Sequence, residues 1–445
     1  MQKTVLTQAV VVALATFGTG AAFAQSSLTL YGHADVSVDH VKGTAGVALA
    51  PALGSATVGL FNKGSVTRVS PSATSQTSYG IKGTEDLGDG YKASFVLEGQ
   101  LSHDTGALAQ DGRFFGRQSY VGLTTPFGEV RLGRQYAPIF YSTAFVTGER
   151  FGATDLFIEG GATNNLMVRQ DNQISYWLKA GGLTASVAYS PNAGSYKTVN
   201  PLRATSGASA TNGGILGQAN AGAESAETDV GRSLGLFANY AVSDALNLTF
   251  GYHQNEFDGA RFGSLITVGG TPTPVVSTVT LDQFQAFNLG AKYIVPSSNI
   301  MLSATAGQGE YKVDTAGVDS LKLQFMALGI RVPVSAWTFS AQASQVKFKN
   351  FTEGKDTGMM LGAEYALSKR TSLFARWVQI KDDEGKASND AGFQATGLGA
   401  IGGIVGGPTV VSTALGFRET PVFAGAGLNP GGKTTYIGAG VRHTF

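Results

Sequence analysis

Cysteine is absent from the 445 residues, so neither a disulfide framework nor a thiolate-bound metal is available to this chain. Charge is scarce as well: Asp, Glu, Lys and Arg make up 14%, against roughly a quarter in an average soluble protein. The 32 basic and 31 acidic residues nearly cancel, leaving no bulk electrostatic footprint for nucleic acid or an acidic membrane surface. Outside the extreme N-terminus no window holds the roughly 18 uninterrupted apolar residues that a spanning helix requires. Low charge does not mean disorder here, because 43% of residues are hydrophobic and 10% aromatic, enough to build a folded structure. Glycine is abundant instead, 61 of 445, about twice its usual share.

The N-terminus carries Lys3, then an apolar stretch from Ala9 to Phe17, then Ala22-Phe23-Ala24. A charged start, a short apolar core and a small-residue end predict a secretory signal peptide over residues 1–24, cut after Ala24. The core is too short to cross a bilayer. Residues 25–445 are then one exported domain that must be stable without disulfides.

From Leu28 onward the pattern has period two. Leu28, Leu30, Gly32, Ala34, Val36 and Val38 fall on one face, and Thr29, Tyr31, His33, Asp35, Ser37 and Asp39 on the other. The same alternation returns at 183–190, 246–253 and 337–344, which is the signature of strands with one apolar and one polar face. About sixteen such runs are legible, from 28–41 through 64–83 and 112–124 to 432–445, while helical periodicity is nowhere sustained. The connections alternate between short turns, such as Thr125-Pro126-Phe127-Gly128, and long segments rich in Gly, Ala, Ser and Thr, notably 137–168, 192–228 and 383–431. An exported sheet of this kind must close on itself in lipid, where every backbone donor and acceptor needs a partner. The fold expected is all-β: a 16-stranded antiparallel transmembrane β-barrel whose polar face lines a water-filled lumen.

Five ordered stretches then carry a family likeness: Leu28-Thr29-Leu30-Tyr31-Gly32-His33-Ala34-Asp35, the run from Gly80 to Gly88, Gly112-Arg113-Phe114-Phe115-Gly116-Arg117-Gln118-Ser119-Tyr120-Val121-Gly122-Leu123, the run from Phe127 to Tyr136, and Gly440-Val441-Arg442-His443-Thr444-Phe445. Together they resemble the Gram-negative general porins of the β-proteobacterial type, over the whole chain from residue 25. The resemblance implies a homotrimer in the outer membrane, passive diffusion of ions and small hydrophilic solutes, and a third long loop folded into each lumen. It also implies contact with outer-membrane lipid and lipopolysaccharide, and insertion by the outer-membrane assembly machinery, whose C-terminal signal would comprise Phe445, Val441 and Ile437.

In such a porin the narrow point sets basic wall residues against acids on the inward loop. The residues matching the basic wall are Arg117, with Arg113 on its face, Lys82, Arg169 and His33, while Ser78 stands where a second wall arginine is expected. The loop acids are Asp155, Glu159 and Glu149. Arg134 shares parity with Val130 and Leu132 and is expected to point outward, into a subunit interface or near the rim, because a charge facing lipid costs roughly 2–4 kcal/mol at the midplane. The basic cluster leans toward anion preference.

Two motifs fail on context. Gly427 to Thr434 fits the phosphate-loop spacing, but an alternating strand follows it rather than a helix. Gly397-Leu398-Gly399-Ala400-Ile401-Gly402 likewise leads into more loop. The five histidines show no i, i+4 pair for a metal, and no cofactor is expected. Two rivals to a general porin remain: a barrel hydrolase, for which no catalytic motif argues, and a substrate-specific porin, which would need a lumen-facing aromatic series that the sequence does not display.

Overall fold

A computed structural model describes residues 27–44, 65–71, 74, 77–108, 113–147, 167–191, 214–216, 232–268, 271–314, 316, 319–349, 354–382 and 433–445. The expected signal peptide lies outside them. The first wall is built from β1 (Ser27–Thr44), β2 (Ser65–Pro71), β3 (Ser78–Gly88), β4 (Tyr91–Gly99), β5 (Gln118–Thr125) and β6 (Gly128–Tyr136). A short helix, α1 (Pro138–Ala144), precedes β7 (Arg169–Ala180) and β8 (Leu183–Ser190). Then come β9 (Gly214–Leu216), β10 (Ser233–Ala241), β11 (Leu246–Val268), β12 (Thr271–Ile294) and β13 (Met301–Val313). The circuit ends with β14 (Leu321–Val334), β15 (Trp337–Lys349), β16 (Gly354–Ala366), β17 (Thr371–Asp382) and β18 (Lys433–Thr444).

Consecutive strands pair antiparallel in one sheet, and β1 closes on β18 from His33↔Thr444 to Thr44↔Lys433. Closure is sealed at the terminus, where Gly32 and Phe445 exchange backbone hydrogen bonds, each 3.1 Å. Of the eighteen segments, β2 and β3 share one place in the wall, both pairing with β1, and the three-residue β9 is an extra piece paired with β11. Sixteen strands therefore form the barrel, as the alternation predicts. The run predicted over 64–83 is broken because Pro71 has no N–H to continue the ladder. Asp35 fills the break: its carboxylate accepts from the backbone N–H of Thr74 at 2.9 Å and from the Thr74 hydroxyl.

The barrel is inside out relative to a soluble protein. Leu28, Leu30, Val121 and Leu328 are each more than 60% exposed, whereas Asp35, Asp39 and Asn288 are at most 1% exposed. Leaving a continuous leucine and valine surface in water would cost about 25 cal/mol per Å², so this face is matched to lipid. Around the short-turn end, outward Tyr176, Tyr240, Tyr293, Trp337 and Phe339 are exposed, an aromatic girdle suited to the membrane–water interface.

The inner face departs from the expected polar lining along one arc. Toward the long-loop ends of β12 to β18, inward positions carry Phe284, Tyr311, Leu323, Val346, Val378 and Tyr436, none more than 1% exposed. That arc is shielded from water, so the aqueous polar lining belongs to the rest of the wall.

Candidate functional site

The β5–β6 turn at Thr125-Pro126-Phe127-Gly128 sends β6 up the wall, and a bulge between Gly133 and Gln135 shifts its register against β7. Gly133 lies at φ 130°, and a Cβ there would collide with the Ser119 carbonyl oxygen. Only glycine fits so close an approach. The bulge returns Gln135 to the inner face, where its side chain reaches the Gln173 carbonyl at 3.2 Å and accepts from Ser175 at 2.7 Å. Tyr136 follows at the strand's end, 7% exposed.

Two of the expected wall arginines converge on Tyr136. Arg117, just before β5, donates from Nη2 to the Tyr136 hydroxyl at 2.6 Å, and from Nη1 to Gln100 Oε1 at 3.3 Å. Its Nε donates to Glu98. Arg169, which opens β7, donates to the same Tyr136 hydroxyl at 3.1 Å with its guanidinium 4.6 Å from the ring centroid. Glu98 in turn accepts from the Tyr31 hydroxyl at 2.8 Å, and Lys82 Nζ lies 5.1 Å over the Tyr31 ring. Arg117, Arg169 and Lys82 are thus joined through two tyrosines and one glutamate.

His33 and Arg113 are placed otherwise. His33 faces inward at the closing seam, its Nδ1 3.1 Å from Thr444 Oγ1. Arg113 does not accompany Arg117: the strand predicted over 112–124 begins only at Gln118, so the alternation that put both on one face does not extend to 113. Its guanidinium forks onto Asp171 at 2.8 and 3.0 Å. Arg134 donates to the same carboxylate and, from Nε, to the Gly116 carbonyl at 2.7 Å. The opposite parity of Arg134 is retained, and its charge is met by Asp171 within the chain. Ser78 is buried. Asp155, Glu159 and Glu149 lie outside the described residues.

Other charged groups on the inner wall escaped the sequence reading. Arg131 pairs with Glu129 at 2.7 Å and lies between aromatic faces, 5.1 Å over Tyr120 and 4.8 Å over Trp177. Glu129 and Arg131 alternate with Val130 and Leu132, so the parity that turned Arg134 outward also places Arg131 inward. On either side of the seam, Arg68 of β2 pairs with Asp39 of β1 at 3.0 Å, and Glu364 of β16 receives both Arg376 of β17 and Arg442 of β18. No local sequence pattern announces these pairs.

Helix α1 begins with Pro138, whose missing N–H is no loss in a first turn. It lies against the inner face of three strands. Cβ atoms placed on Gly235, Gly251 and Gly290 would come within 2.6 Å of Pro138, 2.5 Å of Ser142 and 2.7 Å of Val146. The seat is completed by Thr249 donating to the Ser142 carbonyl at 2.7 Å and Asn288 donating to the Ser142 hydroxyl at 2.8 Å.

Residues 9–385 match the protein family described as Gram-negative porin. The chain belongs to the Gram-negative porins. Among its relatives is outer membrane porin protein 32 of Delftia acidovorans, 28% identical over 427 residues that cover 94% of this chain and 99% of the relative. An outer membrane porin protein of Bordetella pertussis is 28% identical over 406 residues, 84% and 93% of the two chains. The fold superposes on the anion-selective porin from Comamonas acidovorans with a TM-score of 0.63, 25% identity and coverage of 95% and 100%. Like its relatives this porin is an outer-membrane channel and not an enzyme.

Proposed function

We propose that this porin is a general diffusion channel, a homotrimer that passes ions and small hydrophilic solutes with a preference for anions. The observation that carries the reading is the convergence of Arg117 and Arg169 on Tyr136 at the base of α1, with Lys82 held alongside through Tyr31. Fixed guanidinium groups on an aqueous wall raise the local concentration of anions and repel cations. Asp155, Glu159 and Glu149, in the segment after α1, are the proposed acidic side of the narrow point, and a transverse field between the two sides would orient solutes. His33 adds a polar group to the same wall, whereas Arg113 and Arg134 serve the outer rim through Asp171 and, in a trimer, the neighbouring subunit. Phe445, Val441 and Ile437 are the proposed assembly signal. Ile437 and Val441 point outward and Phe445 is pinned to Gly32. Removal of residues 1–24 would leave Gln25 as the first residue, which N-terminal sequencing of the outer-membrane form reads directly.

The test is planar-bilayer recording of the purified protein. Conductance should open in triplets, and the reversal potential in a potassium chloride gradient should report anion preference. Arg117→Glu should move that potential toward the cation side. An unchanged potential in the variant removes Arg117 from the narrow point, and steps without threefold grouping refute the trimer.

A further inference from the structure

The inner wall below α1 carries the aromatic series that the sequence did not show. Tyr141 and Phe145, on and just after the helix, meet Trp177 of β7 and Phe237 of β10. The centroid separations are 4.9 Å for Tyr141–Trp177, 5.3 Å for Phe145–Phe237 and 6.1 Å for Trp177–Phe237. Part of this cluster does ordinary structural work, since Phe237 is only 2% exposed and anchors the helix. Phe145 does not fit that account: it is 39% exposed although it packs on the inner wall. Other apolar side chains of comparable exposure on the strands face outward, where lipid covers them. A large open ring inside an aqueous lumen costs free energy unless something stacks on it.

The charge beside it selects the kind of ring. Arg131 lies over Trp177 and pairs with Glu129 through one nitrogen, while its buried Nε–H has no acceptor among the described residues. One carboxylate therefore does not saturate its five donors. Arg117 and Arg169 stand on the same wall, so a cationic ring would be repelled. Glu129 and Glu98 are each tied to an arginine, leaving little to recognise a neutral sugar by its hydroxyl groups.

We propose that Phe145, Tyr141, Trp177 and Arg131 form a solute subsite for aromatic carboxylates on the inner wall. This rests on the channel reading above and deepens it, naming a class of anion that the pore holds rather than merely admits. The ring stacks on Phe145 and Tyr141, and its carboxylate turns toward Arg131.

The probes are benzoate and cyclohexanecarboxylate, alike in charge and similar in size, added to wild-type protein carrying chloride current in a planar bilayer. Transient occupancy should lower the current at a concentration about threefold smaller for benzoate, the scale of one aromatic contact. Phe145→Ala and Trp177→Leu should bring the two acids together, and Arg131→Gln should weaken both. Phe145 lies outside the barrel strands, and the comparison of acids on wild-type protein needs no variant. Equal half-effect concentrations on wild-type protein overturn the subsite while the chloride current upholds the channel. So does a preference that survives Phe145→Ala, or maltose acting as strongly as benzoate. Absence of chloride current overturns the channel reading itself.

Discussion

Asp171 shows how a single side chain settles an otherwise costly arrangement. Arg113 and Arg134 both bond its carboxylate, and all three side chains are less than a fifth exposed. At such a site water screens poorly and the hydrogen bonds are charge-assisted. Removing the shared counter-charge would leave two guanidinium groups facing each other at a poorly solvated site. Asp171→Asn keeps the shape and removes the charge. It should lower the stability of the folded barrel by about 2 kcal/mol, read as a lower urea midpoint of unfolding in detergent. An unaltered midpoint would mean that lipid phosphate or another subunit neutralises the arginines. The neighbouring case of Tyr136 differs in purpose. Its hydroxyl accepts from two arginines and its face lies against them, so the pair is held in one place, with Glu98 meeting the Arg117 Nε.

At the scale of elements, α1 depends on a flat surface. Three adjacent strands offer glycine where the helix lands, and Ser142 is gripped from β11 and β12. Adding a large side chain at the centre of this seat should lift the helix off the wall toward the lumen axis. Gly251→Leu should therefore reduce single-channel conductance while the barrel still migrates as the compact form on unheated gels; a conductance equal to wild type would show that α1 does not bound the pore. The strands were legible because alternation repeats over eight or more residues. The helix was not, since the seven residues from Pro138 to Ala144 complete barely two turns and carry too short a period to register. The glycine seat was equally invisible: Gly235, Gly251 and Gly290 read as ordinary strand residues until the register aligns them. The Arg113 assignment failed for a related reason. Parity reasoning holds only inside a continuous strand, and the Phe114-Phe115 turn interrupts it.

For the whole molecule, closure, strand number and the lipid-facing surface follow from residue alternation. The apolar arc on the inner face of β12 to β18 does not, because inward and outward hydrophobic residues look alike once both faces are apolar. A near-zero net charge conceals an uneven distribution: one wall gathers Arg117, Arg169, Lys82 and Arg131 within a few strands. If these groups act on ions at a distance, through the field they set up in water, their reach is the screening length. That length is about 30 Å at 0.01 M salt, about 10 Å at 0.1 M and about 3 Å at 1 M. A tenfold gradient from about 0.01 to 0.1 M should therefore give a reversal potential further to the anion side than one from about 0.1 to 1 M. Arg117→Glu should shift the first more than the second. No such dependence is expected if anions bind directly to Arg117 and Arg169, because contact at a few ångströms survives screening. A selectivity constant across both gradients would thus transfer the anion preference from the field of the wall to a contact site at Tyr136, and comparing the two gradients on the same bilayer separates the mechanisms.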